Sequence, residues 1–173
     1  EKSKRFVTLE QAKQITKAVP FYYVGVFVDA PIEQVVHYAN ELCLSAVQLH
    51  GKENQTYIDN LRKQLPEACQ IWLAKGVKQT LPSLDENNVD YFLLDCQVGE
   101  QSGGTGQSFS WQLLDELTDK SNIILAGGIS LNNVKQAANT QVAMLDLNSG
   151  LESAPGIKQQ DKINQAFSVL REY

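Results

Sequence analysis

The sequence predicts an α/β fold built on a parallel sheet, and three observations carry that reading. Short β-branched or aromatic runs alternate with longer amphipathic segments along the chain. Runs such as Tyr91-Phe92-Leu93-Leu94 and Asn122-Ile123-Ile124-Leu125 are almost wholly apolar, as strands covered by helices on both faces must be. Polar and glycine-rich clusters follow most of the runs instead of gathering at one switch point, and no G-x-G-x-x-G turn follows the first run. Functional-looking residues at the carboxyl ends of several successive strands point to a (β/α)8 barrel, the TIM barrel, whose site is assembled from the βα loops. A full barrel has eight strands and usually opens with one. The 173 residues open with a helix and carry six runs that read as strands, so six of eight strands are expected.

In chain order, Thr8-Leu9-Glu10-Gln11 has the pattern of a capping box and heads a helix predicted over 8–18. Strands are predicted at 22–28, 45–49, 69–74, 90–95, 122–126 and 142–147. Helices fit between them at 31–43, 53–65, 111–118 and 130–139, with a last one at 159–171. The segment 79–88 carries Pro82 and Asp85 and reads as no more than a single turn. Nothing in the chain is low in complexity or rich in Pro and Ser, so residues 1–173 are expected to form one domain, an incomplete barrel.

Composition narrows the function classes. A mass of 19.2 kDa with 43% hydrophobic residues suits one globular domain with a substantial core. The longest apolar run, Ala18 to Val28, is broken by Pro20 and Gly25 and falls short of the roughly 18–20 residues of a membrane span. No charged, apolar and small-residue succession marks a secretory leader at the front. Cys43, Cys69 and Cys96 are an odd count without metal-like spacing, which fits reduced thiols in the cytoplasm. His37 and His50 are the only histidines, so no metal is expected. A net charge of -5 argues against a nucleic-acid surface and leaves small anions open, because a local site can bind them despite the global charge. The chain opens at Glu1 without a Met, which leaves room for a longer gene product.

The last two strand ends are the most informative. Ala126-Gly127-Gly128-Ile129-Ser130 and Asp146-Leu147-Asn148-Ser149-Gly150 each expose backbone N–H groups ahead of a predicted turn or helix, an arrangement that binds a phosphate without Lys or Arg. In (β/α)8 barrels the loops after the seventh and eighth strands frequently do this, and counting back from the C-terminus these are those loops. The plainer reading is that the glycines only turn tightly and Ser130 is an N-cap. Asp95 ends an apolar strand; over an apolar floor a carboxylate loses hydration, which suits it to general-acid work, while the alternative is a carboxylate that accepts N–H bonds in its own loop. Gly103-Gly104-Thr105-Gly106 reads as a close backbone approach or a lid. His50, at the end of its strand, could orient substrate or bond to loop backbone. Asp146 could align substrate hydroxyls or fix a loop. By composition Arg5 sits in a solvated basic start, Lys2-Ser3-Lys4-Arg5. Cys96 follows Asp95 and, by strand alternation, points away from it.

Five strings in order carry a resemblance: Tyr23-Val24-Gly25-Val26-Phe27; Val47-Gln48-Leu49-His50-Gly51; Leu94-Asp95 with Gly103-Gly104-Thr105-Gly106 and Phe109-Ser110-Trp111; Leu125-Ala126-Gly127-Gly128; and Asp146-Leu147-Asn148-Ser149-Gly150-Leu151-Glu152 with Pro155-Gly156-Ile157-Lys158. From about residue 3 to the C-terminus the chain resembles the phosphoribosylanthranilate isomerases of tryptophan biosynthesis, closest in flavour to the bacterial form fused behind indole-glycerol-phosphate synthase. The resemblance implies an Amadori rearrangement without cofactor or metal. Asp95 would be the general acid, Arg5 would engage the anthranilate end, and His50 and Asp146 would support the site. Gly127, Gly128, Ser149 and Gly150 would cradle the phosphate. The family's Lys-x-Cys-Gly motif, whose Cys is the general base, is absent, which implies that the family's first strand, first helix and second strand lie outside these residues. Gln159 stands where the family commonly has Asp, a difference expected to touch the last helix and not the chemistry.

Two other readings stand beside this one. One is a non-catalytic sugar-phosphate-binding or docking module that needs a partner segment to close its barrel. The other is a different sugar-phosphate enzyme, such as a synthase or epimerase; an epimerase would usually need metal ligands that the two histidines poorly supply.

Overall fold

The computed structural model describes residues 3–95 and 110–172. Two compact units are distinguished: one is Phe6–Ala74 with Leu84–Phe92, and the other takes its described residues from Glu1–Arg5, Lys75–Ser83 and Leu93–Tyr173. Helices α1 (Leu9–Ala18), α2 (Ile32–Glu41), α3 (Gln55–Arg62), α4 (Val134–Ala138) and α5 (Gln160–Leu170) accompany strands β1 (Val24–Phe27), β2 (Ala46–Leu49), β3 (Gln70–Gly76), β4 (Tyr91–Asp95), β5 (Ile123–Leu125) and β6 (Met144–Leu145), with a small hairpin of β7 (Glu152–Ala154) and β8 (Ile157–Lys158). Backbone hydrogen bonds order the strands β1-β2-β3-β4-β5-β6, so neighbours in sequence are neighbours in the sheet.

In the first unit β1, β2 and β3 pair in parallel, with Val24 opposite Ala46 and Ala46 opposite Gln70. Parallel neighbours need a crossover, and α2 and α3 supply it. The central strand, β2, is buried along its whole length, whereas β1 has no partner strand on its outer edge among the described residues. The consequence is visible in exposure: Phe21, Tyr22 and Val26 are 77%, 83% and 60% exposed, and α1 buries no residue. Helix α1 begins at the predicted capping box, in which the Thr8 hydroxyl accepts from the Gln11 N–H and the Gln11 side chain accepts from the Thr8 N–H. Arg62 anchors the far end of this unit, donating to the Cys69 and Asn88 carbonyls and to Asp90, whose carboxylate also accepts from the Ile71 N–H.

In the second unit the core is Leu94, Leu114, Ile124, Leu125, Val134, Ala137 and Ala166, all buried. The predicted helix at 111–118 is instead a 3-10 turn over Trp111–Glu116. Its two buried residues, Trp111 and Leu114, are three apart, the spacing that a three-residue turn brings onto one face. The predicted helix at 130–139 begins only at Val134. Asn133 delays it: its side chain accepts from the Ser130 N–H and donates to the Gly128 carbonyl, so Ser130 heads a turn and is not the helix cap. The β7–β8 hairpin was not expected. Pro155 presets its turn and Gly156 takes the left-handed position at φ 83°, the pairing a type II turn needs. Among the described residues no helix is long and apolar enough to cross a membrane.

Helix α5 starts at Gln159 without a side-chain cap. Gln159→Asp would supply an acceptor and a negative charge to the open N–H groups there, and is expected to raise stability by about 1 kcal/mol, read as a higher urea midpoint.

Candidate functional site

Parallel pairing places the useful residues of the second unit at one end. The Ala126 N–H donates to the Leu94 carbonyl at 2.9 Å, and the Asp146 N–H to the Leu125 carbonyl at 2.8 Å. The carboxyl ends of β4, β5 and β6 therefore lie side by side, and Asp95, Gly127 and Asp146 emerge from consecutive strands at the same rim. Asp95 is half-buried after the buried Phe92, Leu93 and Leu94, and its own carbonyl accepts from the Val77 N–H at 2.9 Å. Asp146 is half-buried too.

The two glycine loops meet. A Cβ on Gly150 would fall 2.0 Å from the Ile129 carbonyl oxygen and 2.9 Å from the Ser130 Cα, so only glycine fits and the backbones after β5 and β6 touch. Gly127 and Gly128 lie at φ 79° and 71°, a conformation that disfavours a side chain. Among the described residues no acceptor takes the N–H groups of Gly127, Gly128, Ser149 or Gly150. These loop N–H groups, not the N-terminus of the short α4, are the donors available to an anion.

Arg5 departs from the solvated start that its neighbours suggest. Its Nε donates to Glu152 Oε1 at 3.0 Å and its Nη2 to Glu152 Oε2 at 2.6 Å, a bidentate pair in which the arginine side chain is 40% exposed and the glutamate side chain 4%. Lys158 Nζ donates to Glu152 Oε1 at 3.0 Å, and to the Asn148 carbonyl at 2.8 Å and side-chain oxygen at 2.6 Å. The Arg5 hydrogen bond, against the opposing effect of burial and with help from Lys158 and the Gly156 N–H, brings the Glu152 carboxyl down to about 2, and the same pair raises Arg5. Glu152 and Lys158 carried no assigned role at the sequence level; the only available signal was their place in the last matching string.

His50 belongs to the other unit. Its N–H donates to the Phe27 carbonyl at 2.8 Å, which sets it at the carboxyl end of β2, beside that of β1. In the loops just beyond, Glu53 accepts from the N–H groups of Asp29 and Gly51, and Asp29 accepts from that of Lys52. Cys96 and Gly103 to Gly106 lie outside the described residues. Among the described residues no group of three His, Cys, Asp or Glu side chains could hold a metal ion.

Comparison with known proteins gives a consistent answer. Residues 1–169 match the family described as N-(5'phosphoribosyl)anthranilate (PRA) isomerase. The chain is 51% identical over 173 residues to the tryptophan biosynthesis protein TrpCF of Vibrio cholerae, covering all of this chain and 36% of that one. It thus spans about a third of the length of the curated relatives it matches. Among solved structures it is similar to phosphoribosyl anthranilate isomerase from Thermus thermophilus, with a TM-score of 0.83 and 30% identity over 98% of this chain and 83% of that one. A second similar structure is a phosphoribosyl anthranilate isomerase in complex with reduced 1-(o-carboxyphenylamino)-1-deoxyribulose 5-phosphate; the TM-score is 0.76 and the identity 26%, over 99% of this chain and 84% of that one.

Because the Glu152 carboxyl lies at about 2 when folded against an ordinary 4.5, its contribution to stability is complete above pH 4.5 and is lost as pH falls toward 2. Urea midpoints measured across that window should fall for the native sequence, and Glu152→Gln should flatten the decline.

Proposed function

The chain belongs to the PRA isomerase family, and on that premise we propose that it carries most of an isomerase barrel converting N-(5-phosphoribosyl)anthranilate to 1-(2-carboxyphenylamino)-1-deoxyribulose 5-phosphate. The observation that carries this reading is the shared rim: a half-buried carboxylate on β4 stands in line with two touching glycine loops whose N–H groups are open. Substrate and product are isomers, so the chemistry is proton movement.

In the proposed sequence, Asp95 protonates the ribose ring oxygen, the C1'–O bond breaks and the nitrogen lone pair forms a Schiff base. A base then removes the C2' proton, and the resulting enolamine tautomerises to the aminodeoxyribulose. The family's Cys base stands at the end of a first strand in a Lys-x-Cys-Gly motif that these 173 residues lack, and it would lie outside them. Asp95 suits the acid role by its place, half-buried at the rim where a strand buried up to Leu94 ends. The phosphate would rest on the N–H groups of Gly127, Gly128, Ser149 and Gly150, with no cationic side chain required. Arg5 would hold the anthranilate carboxylate: its Nε and Nη2 are directed at Glu152, which leaves Nη1 to donate elsewhere. Asp146 would orient the sugar, and His50 would have the supporting role that the resemblance implies.

Relatives about three times as long, named for tryptophan biosynthesis, support a longer bifunctional polypeptide in which this barrel is fused to indole-glycerol-phosphate synthase, and a cytoplasmic location is part of the same proposal. The exposed edge of β1 favours a further segment covering it, a requirement shared with the reading as a docking module.

Asp95→Asn in the complete polypeptide separates catalysis from binding. Turnover, followed by the loss of phosphoribosylanthranilate fluorescence, should fall by about 10²–10⁴-fold, while affinity for the reduced carboxyphenylamino-deoxyribulose phosphate stays largely intact. Turnover close to the native rate would refute the acid assignment.

A further inference from the structure

The buried end of the Arg5 ion pair has no part in the chemistry above, yet its geometry is specific. The Arg5 side chain is 40% exposed, and a long unbranched side chain with that much access to solvent would sample many rotamers. Glu152 removes that freedom. It is 4% exposed and both of its oxygens meet the guanidinium, one at Nε and one at Nη2, which defines the plane of the group as well as its position. Its backbone is held in turn, since the Glu152 carbonyl accepts from Lys162 Nζ at 2.9 Å. Lys158 bridges Glu152 Oε1 to both oxygens of Asn148, the residue immediately before Ser149 and Gly150. One buried carboxylate is thus tied to the arginine assigned to the anthranilate end and, through one lysine, to the turn assigned to the phosphate end.

We infer that Glu152 is a positioning residue for substrate recognition, holding the Arg5 guanidinium edge-on so that Nη1 faces the aromatic carboxylate, with Lys158 linking that group to the Asn148–Gly150 turn. This rests on the assignment of Arg5 to the anthranilate end. A positioning role acts on binding: weakening it should raise KM and the dissociation constant of an anthranilate-bearing ligand, leave kcat near the native value, and depend on Arg5 being present.

The test is a double-mutant cycle in the complete polypeptide, using Glu152→Gln, Arg5→Ala and both together, with the reduced carboxyphenylamino-deoxyribulose phosphate as ligand and steady-state turnover alongside. Glu152→Gln should weaken ligand binding about tenfold, close to the lower end of what a charge-assisted hydrogen bond contributes, and should add little once Arg5 is Ala. Unchanged binding in Glu152→Gln, or a full additional loss in the double variant, would overturn the inference while leaving Arg5 as the anthranilate contact. Unchanged binding in Arg5→Ala would overturn the assignment of Arg5 itself, and the inference with it. Should Glu152→Gln fail to fold, Glu152→Asp keeps the charge but withdraws it by one methylene, and the same cycle applies: native affinity in that variant counts against positioning, and an Arg5-dependent loss supports it.

Discussion

The hydrogen bonds that join the ends of β4, β5 and β6 are the constraint on which the rest depends. Because β5 pairs with β6 in parallel and the end of β4 is bonded to that of β5, the loops that follow these three strands leave side by side. Two bonds, Ala126 N–H to the Leu94 carbonyl and Asp146 N–H to the Leu125 carbonyl, bring together residues 95, 127 and 146, which are far apart in the chain. The closeness of the Gly150 and Ile129 backbones follows from that pairing, and it is possible only because position 150 carries no side chain.

A second layer of order comes from charge. Glu152, Arg5 and Lys158 form a compact network around a carboxylate that has almost no access to water, so that its removal would leave two cations without their common partner. Desolvation of such a carboxylate is unfavourable by itself and is offset here by hydrogen bonds from Arg5 and Lys158. The β7–β8 hairpin contributes directly, since its register sets Lys158 opposite Glu152. In the sequence Glu152 and Lys158 belong to the last matching string, but nothing local marks them as partners of each other or of Arg5.

Local chemistry was legible in the sequence; distant pairing was not. The Thr8–Gln11 box and the apolar strands 91–95 and 123–125 follow from neighbours within a few residues, and so does the absence of a helix at 79–88. The glycine loops were legible as candidate anion sites, because backbone exposure needs only glycine and a strand end. Their contact was not, because it depends on a close approach between residues 129 and 150. Arg5 looked like a solvated basic residue because its partner lies 147 positions away. The helix at 111–118 was misread for a different reason: Trp111 and Leu114 satisfy both a 3-10 and an α-helical face, and burial of just these two side chains is met by the tighter turn.

The most direct test of the account is the position of an intact ligand. In a crystal structure of the complete polypeptide with the reduced carboxyphenylamino-deoxyribulose phosphate, the phosphate oxygens should lie about 3 Å from the N–H groups of Gly127, Gly128, Ser149 and Gly150, with the aromatic carboxylate at Arg5. A phosphate seated anywhere else, with those four N–H groups still facing solvent, would contradict it.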